Sequence, residues 1–296
     1  MAARYDVVGI GVATLDLIGV AAAEPQFGAK QPLVQWVEAG GGPVATALVT
    51  LARLGARPCL ITAVGDDGYG ARIVADLKRE GVATEGVATR PGSSHTAFVL
   101  AEPGTDRRTI WWHRDKAVLD AVAPSRELVT SARFLHLDTH LGEAAIAAAG
   151  WMRKAGGKVM IDGERISDVA LRLLPLCDYM VLSEHFARAA TGDDDLARAA
   201  RALQREHGGV AVVTEGEKGC WCATDDEAFH TPTFPVKALD TTGAGDVFHG
   251  GLLFALLRGQ PLRRALRFAS ATAALKCRAL GGRAGIPSLA EVEAML

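Results

Sequence analysis

The 296-residue chain predicts an α/β fold: a mostly parallel sheet covered by helices, with a small strand-rich projection. Three observations predict it. Runs apolar along their whole length, such as "PCLITAVG", have the pattern of strands buried on both faces. Between them lie segments of helical apolar spacing that stop at glycine, so strand and helix alternate as in βαβ units. Two stretches break that alternation and read apolar–polar with turn residues between, as strands with one wet face do.

The first strand is Tyr5 to Val12, and "VATLDLIGV" with "PLVQWVEAG" supplies a first ribbon. After the glycines at 40 to 42, "PVATALVTLARLG" is a helix stopped by Gly55. A buried strand, "PCLITAVG", and a helix, "YGARIVADLKREG", follow. "HTAFVLAEPGTDRRTIWWHRD" makes the second ribbon, and both ribbons are expected to pair antiparallel in a small projecting sheet. From Arg133 the rhythm returns, with strands "RFLHLDT", "KVMID", "DYMVLSE" and "GVAVVTEG" and helices "GEAAIAAAGWMRKAGG" and "DDLARAARALQREHGG". A hairpin, "CWCATDDEAFHTP", precedes helices at Ala244 to Arg258, Pro261 to about Ala279, and after Pro287. No repeat, low-complexity tract or linker interrupts the pattern. Residues 1–296 therefore read as one domain, with projecting strands at about 13–38 and 95–114.

A composition 49% hydrophobic and 22% charged is that of an ordinary globule, and a net charge of −2 leaves no basic footprint for nucleic acid. No apolar run reaches the ~18 residues of a membrane span. The start carries Asp6 and Asp16 and lacks a small-residue cleavage site, so a cytoplasmic chain is expected. The five cysteines are scattered, and the Cys220–Cys222 pair has no partners at zinc spacing.

The chemistry concentrates in "DTTGAGDVFHGG", Asp240 to Gly251. A helix N-terminus presents unpaired N–H groups and a partial positive charge, and glycines let an anion approach the backbone. Gly243, Ala244 and Gly245 supply that surface, with the Asp246 carboxylate in the same turn. An anion cradle beside a base suits phosphoryl transfer to a hydroxyl. The structural alternative is an Asp that only complements the helix dipole and glycines that only mark a turn. No G-x-x-x-x-G-K-[ST] occurs, so this is not a P-loop.

Here the sequence resembles the PfkB (ribokinase-like) carbohydrate kinases. "DTTGAGDVFHGG" is similar to their C-terminal signature and "GGGPVATALVTLARLGARPCLITAVGDDGYG" to their N-terminal one, and the likeness runs from "GIGVATLD" to "GGRAGIP". It implies a three-layer αβα ribokinase-like fold whose projecting sheet is a lid, with ATP and Mg²⁺ as cofactors and a homodimer formed through lid strands. It implies Asp246 as catalytic base and Gly243, Ala244 and Gly245 as anion hole. Asp16 matches an acid that bonds sugar hydroxyls, or is a solvated turn residue. Gly41 and Gly42 match glycines beside the sugar, or a turn before a helix. Thr46 stands where the family has Asn and offers fewer donors than an amide. Arg108, or its neighbour Arg107, matches a lid arginine that reaches phosphate, or is solvated. Thr214, Gly216 and Gly219 match the loop against the nucleotide, which is also a plain turn. At "SEHF", Ser183 and Phe186 replace the Asn and Glu that organise magnesium, leaving Glu184 as the only acid. Asp240 and Thr242, with "KCRALGGRAG", match segments whose carbonyls hold a monovalent cation such as K⁺, while Asp240 is alternatively a helix cap.

In "HLDTH", His136, Asp138 and His140 share one strand face, either as a metal trio or as crevice residues, with Asp138 a substrate contact. His249 reads as packing. Within the family the chain is similar to ketose kinases, notably the 6-deoxy-6-sulfofructose branch, through "RFAS", "AALKC" and "GGRAGIP". Lys30 falls at that branch's sulfonate contact or is solvated, and two further polar contacts fall on Trp112 and Thr139. The expected activity is ATP-dependent phosphorylation of a hydroxymethyl group of a ketose or modified ketose. Rivals are a nucleoside kinase using Trp111 or Trp112, a catalytically silent nucleotide-binding regulator, and a nicotinamide-dependent oxidoreductase. The last is suggested by "GIGVAT", which has Thr14 in place of the third glycine.

Overall fold

The computed structural model describes residues 3–102 and 108–296. Its elements are β1 (Tyr5–Ile10), β2 (Thr14–Ala21), β3 (Leu33–Gly41), α1 (Pro43–Arg53), β4 (Pro58–Gly65), α2 (Gly68–Arg79), β5 (Ala83–Arg90), β6 (Thr96–Ala101) and β7 (Arg108–His113). Then come α3 (Lys116–Asp120), α4 (Arg126–Thr130), β8 (Ala132–Leu137), α5 (Gly142–Lys154), β9 (Lys158–Gly163), α6 (Asp168–Leu173), β10 (Tyr179–Ser183), α7 (Glu184–Thr191) and α8 (Leu196–His207). The chain closes with β11 (Val210–Thr214), β12 (Cys220–Ala223), β13 (Ala228–Thr231), α9 (Ala244–Leu257), α10 (Leu262–Lys276) and α11 (Leu289–Met295).

A nine-stranded sheet runs in the order β13-β12-β11-β10-β9-β8-β1-β4-β5, and it is parallel except where the β12–β13 hairpin joins β11. Helices cover both faces, so the inner strands are mostly apolar; every residue of β4 is buried. One face packs under α1, α2, α9 and α10, with Leu48, Leu252 and Phe268 in its core. The other packs under α5, α7 and α8 through Met152, Phe186 and Leu203. This is the three-layer arrangement expected. The sequence reading passes over β5, α3, α4, α6 and α7. β5, "ATEGVATR", is the half-covered end strand of the sheet and lacks the continuous apolar signature.

The projection is a separate four-stranded sheet, β3-β2-β6-β7. Its two ribbons are antiparallel as expected, but they join through a parallel β2–β6 pairing, Leu15 opposite Thr96 to Val20 opposite Ala101. The ribbons are far apart in sequence, so the alternation within each could not reveal how they meet. Ile18, Ala97 and Val99 make a small core on the side facing Leu280. Because the side-chain period is two, Asp16, Ala97 and Trp112 lie across one face, and Trp36, Phe98 and Trp111 lie on the other.

Candidate active site

The glycine–aspartate motif opens α9. Gly243 is its N-cap in the left-handed region (φ 76°), and a Cβ there would lie 2.9 Å from the Gly282 backbone, so glycine is required. The Ala244 amide turns back onto the Thr241 carbonyl (3.1 Å) and is not open to a ligand, which corrects the expected anion hole. The amides of Gly245 and Asp246 follow with no partner within the chain among the described residues, as the first turn of a helix dictates. A Cβ added to Gly245 would meet no atom within 4 Å, so the space above those amides is free.

Asp246 faces a cleft of about 220 Å³ shared with Asp138, Asp162, Glu164, Ser183 and Thr214. These residues lie at or just beyond the carboxyl ends of β8, β9, β10 and β11, where crevices of parallel sheets form. Burial, and then the Glu164 charge, push the Asp246 carboxyl up to about 6. Sequence reasoning missed Asp162 and Glu164. "DGER" directly after the β9 run was the available signal, because a strand's carboxyl end is where function collects. Asp162 stands 3.4 Å from Nε2 of His249, and burial and Asp246 hold its carboxyl well above the usual range. His249 is therefore more than packing, because it lines the cleft.

At the acceptor side, Asp16 on β2 is buried and accepts the Thr14 hydroxyl (2.6 Å), which rules out a solvated turn residue. Burial raises its pKa. Gly41 lies against it: a Cβ there would sit 2.1 Å from Asp16 Oδ2. Gly42 caps α1, and Thr46 is buried one turn in. Arg283, absent from the sequence reading, fills the space behind them. Its guanidinium donates to Gly41 O (2.7 Å), Asp76 Oδ2 (2.7 Å) and Thr46 Oγ1 (3.3 Å).

Asp138 differs from its expected role. One oxygen accepts the Val12 amide and the other the His140 amide, both at 2.9 Å, so it ties two crevice loops together while lining the cleft. His136 is buried, with Nδ1 3.3 Å from Met160 O and its ring 5.2 Å from that of His249. Lys30 is exposed in the connection between β2 and β3 and is not a cleft residue. Arg108 reaches from the lid to Thr241 Oγ1 (2.9 Å), beside the motif; Arg107 lies outside the described residues.

At the nucleotide side, Thr214 ends β11 and bonds Leu182 O (3.3 Å). Gly216 opens a 3₁₀ turn, and Gly219 closes it in tight contact with the Thr231 carbonyl. Ser183 caps α7 through Phe186 N (3.0 Å), and Phe186 is fully buried, so neither residue supplies an ion ligand in place of the expected Asn and Glu. The Glu184 carboxylate is engaged by Arg188 (3.0 Å), so it is not free to organise an ion alone.

The expected monovalent cation meets a different arrangement. The Asp240 carboxylate is taken by Thr242 N (2.8 Å), Thr242 Oγ1 (2.7 Å) and Gly281 N (2.7 Å). The Asp240 carbonyl accepts the buried ammonium of Lys276 at 2.9 Å. The Asp240 carbonyl thus holds a lysine ammonium, while Thr242 bonds the Asp240 carboxylate and not the lysine.

Open amides beside a carboxylate base suit in-line phosphoryl transfer to an alcohol, and together with the lidded sheet they define a small-molecule kinase. Comparison with known proteins agrees. The chain belongs to the pfkB family of carbohydrate kinases, phosphotransferases with an alcohol acceptor, whose family model matches residues 5–289. It is 27% identical to the ribokinase of Bacillus subtilis (97% of this chain, 98% of the relative). It is 26% identical to a nucleoside kinase of Methanothermobacter thermautotrophicus (98% and 95%). A solved, provisionally named ribokinase from Agrobacterium tumefaciens superposes with a TM-score of 0.93 at 30% identity, covering 98% of this chain and 96% of that one.

Proposed function

We propose that the protein transfers the γ-phosphoryl group of Mg²⁺-ATP to a hydroxymethyl group of a sugar, a ketose or a modified ketose. The observation that carries the reading is Asp246 facing the cleft one residue after the unobstructed amide of Gly245. Asp246 accepts the acceptor's hydroxyl proton, and the Gly245 and Asp246 amides hold the charge on the moving phosphoryl group. Asp16 orients the acceptor by taking hydroxyl hydrogen bonds, with Gly41, Gly42 and Thr46 forming the adjacent wall. Glu164, exposed at the cleft, and the Thr214–Gly219 loop flank the side where Mg²⁺-ATP would sit, the ion supplying neutralisation of phosphate charge when bound. The lid covers the acceptor and excludes water that would otherwise hydrolyse ATP.

No helix among the described residues is long and apolar enough to cross a membrane. The outer lid face carries a half-exposed aromatic row, Trp36, Phe98 and Trp111, with ring centroids 6.3 and 5.8 Å apart. That row supports a homodimer through lid strands, and sedimentation of the wild type against Trp111→Glu tests it.

A nucleoside kinase is the second reading. Trp112 favours it, being 62% exposed on the lid face that carries Asp16, with the Arg114 guanidinium 4.7 Å from its ring. ADP release with D-fructose, D-ribose and adenosine, each against a no-acceptor control, decides. A preference for fructose supports the first reading and one for adenosine the second. A preference for ribose overturns the ketose assignment, and release no faster than the control for all three excludes each of them as the acceptor.

A further inference from the structure

The segments 239–243 and 276–282 meet beneath the opening turn of α9 and are stitched by their own backbone. Leu239 N and Asp240 N both donate to Cys277 O, at 2.8 and 3.2 Å, and Gly281 N donates to Asp240 Oδ2. Into that seam the last residue of α10, Lys276, sends a fully buried side chain whose ammonium meets the Asp240 carbonyl at 2.9 Å. A lysine loses much hydration on such burial and is almost never found there without partners. The groups that act on it are Asp240, Cys277 and Asp246, which favour the ammonium, and Arg108, which repels it. Burial lowers the ammonium's pKa, and the Asp240 carboxylate opposes that loss.

We propose that the Lys276 ammonium is a built-in monovalent cation, standing at the Asp240 carbonyl in place of a bound K⁺ or Na⁺, so that turnover needs no monovalent activator. Two features carry the assignment. The ammonium bears the same unit charge and uses a carbonyl acceptor of the kind that alkali cations use. It also braces the loop that sets Gly243, whose φ of 76° and contact with Gly282 fix the direction of the open amides. Lys276 touches no substrate in this scheme and is a positioning residue. The inference rests on the kinase reading only for its activity arm.

The test replaces N-methyl-D-glucamine chloride by KCl at constant ionic strength, following ADP release with D-fructose and ATP and, separately, the thermal midpoint. For the wild type, both rate and midpoint stay unchanged between the two salts. For Lys276→Met the rate without KCl falls by roughly 10²-fold, the order expected when a charge-stabilising hole loses its geometry. KCl then restores part of that rate and raises the variant's midpoint by about 2–4 °C, as a ligand bound only by the folded state does. Activation of the wild type by KCl, a K⁺-specific rise in its midpoint, or full activity of Lys276→Met in the absence of KCl overturns the proposal. If Lys276→Met does not fold, the wild-type measurements still decide. The thermal arm uses no acceptor, so it stands even if the acceptor panel refutes the sugar-kinase reading.

Discussion

Gly245→Ala separates a catalytic anion hole from an ordinary helix start. Gly245 is the second residue of α9, and the methyl it would gain meets no atom of the protein within 4 Å. Alanine is the better helix former by about 0.5–1 kcal/mol in a helix interior and by less in a first turn. The folded state should therefore gain roughly 0.5 kcal/mol, a rise in Tm of about 1–2 °C for a chain of this size. The same methyl projects into the space that a phosphoryl group must enter to reach the Gly245 and Asp246 amides. Loss of one such donor costs about 10²–10³ in kcat. The expected result is a protein as stable as the parent, or slightly more so, with kcat reduced by that factor. Differential scanning calorimetry and an ADP-release assay measure the two effects. A variant with undiminished kcat refutes the anion hole, and one several degrees less stable refutes the claim that the space is empty.

Asp246→Asn should reduce turnover by about 10²–10⁴ and leave ATP binding measured by calorimetry near the parent value, because the amide keeps the shape but cannot take a proton. In the wild type, kcat/KM should fall on the acid side with an apparent pKa of about 6, since the base works only when ionised and its pKa is raised. An acid limb near 4 would show that the titrating group is not this carboxylate. Arg108→Ala should lower kcat/KM for ATP by roughly 10–100-fold, the order of a charge-assisted hydrogen bond; an unchanged value would leave the Thr241 contact as mere lid packing. Asp67→Ala removes the α2 cap, whose oxygens accept Gly70 N (2.8 Å), Ser94 N (2.9 Å) and Ser94 Oγ (2.6 Å), and should cost about 1–2 kcal/mol in urea unfolding near pH 7. Burial opposes the shift, but those bonds hold the Asp67 pKa below the ordinary value. The part of its contribution that depends on ionisation is therefore present above the unfolded pKa of about 4 and lost as pH falls through the folded one, so the penalty should shrink in acid.

Elements with a strong local cause were legible in the sequence. The buried run of β4, the proline-led start of α1 and the glycine-opened α9 each state their structure within a dozen residues. Asp246 was legible for the same reason, because a helix start, its glycines and its acid are neighbours in the chain. Arg283 was not. Its role comes from meeting Gly41, Thr46 and Asp76, more than 200 residues away in sequence, and a single arginine in "GGRAG" carries no local sign of that. Asp138 is in the crevice as its position at the strand end implies, but its bonds to the Val12 and His140 amides were not legible, because spacing cannot say which amides a carboxylate will meet.

By itself the sequence determined the layered α/β fold, since hydrophobic periodicity and helix-start chemistry are local properties written every few residues, and its two glycine-rich signatures carried the resemblance to the family. Only the tertiary structure decided that the lid's ribbons join in parallel, that the Ala244 amide is already spent within its own turn, and that Lys276 stands at the Asp240 carbonyl. The first and last depend on which distant backbone groups meet once the chain has closed, and the second on the exact dihedrals of one turn, neither of which residue spacing states.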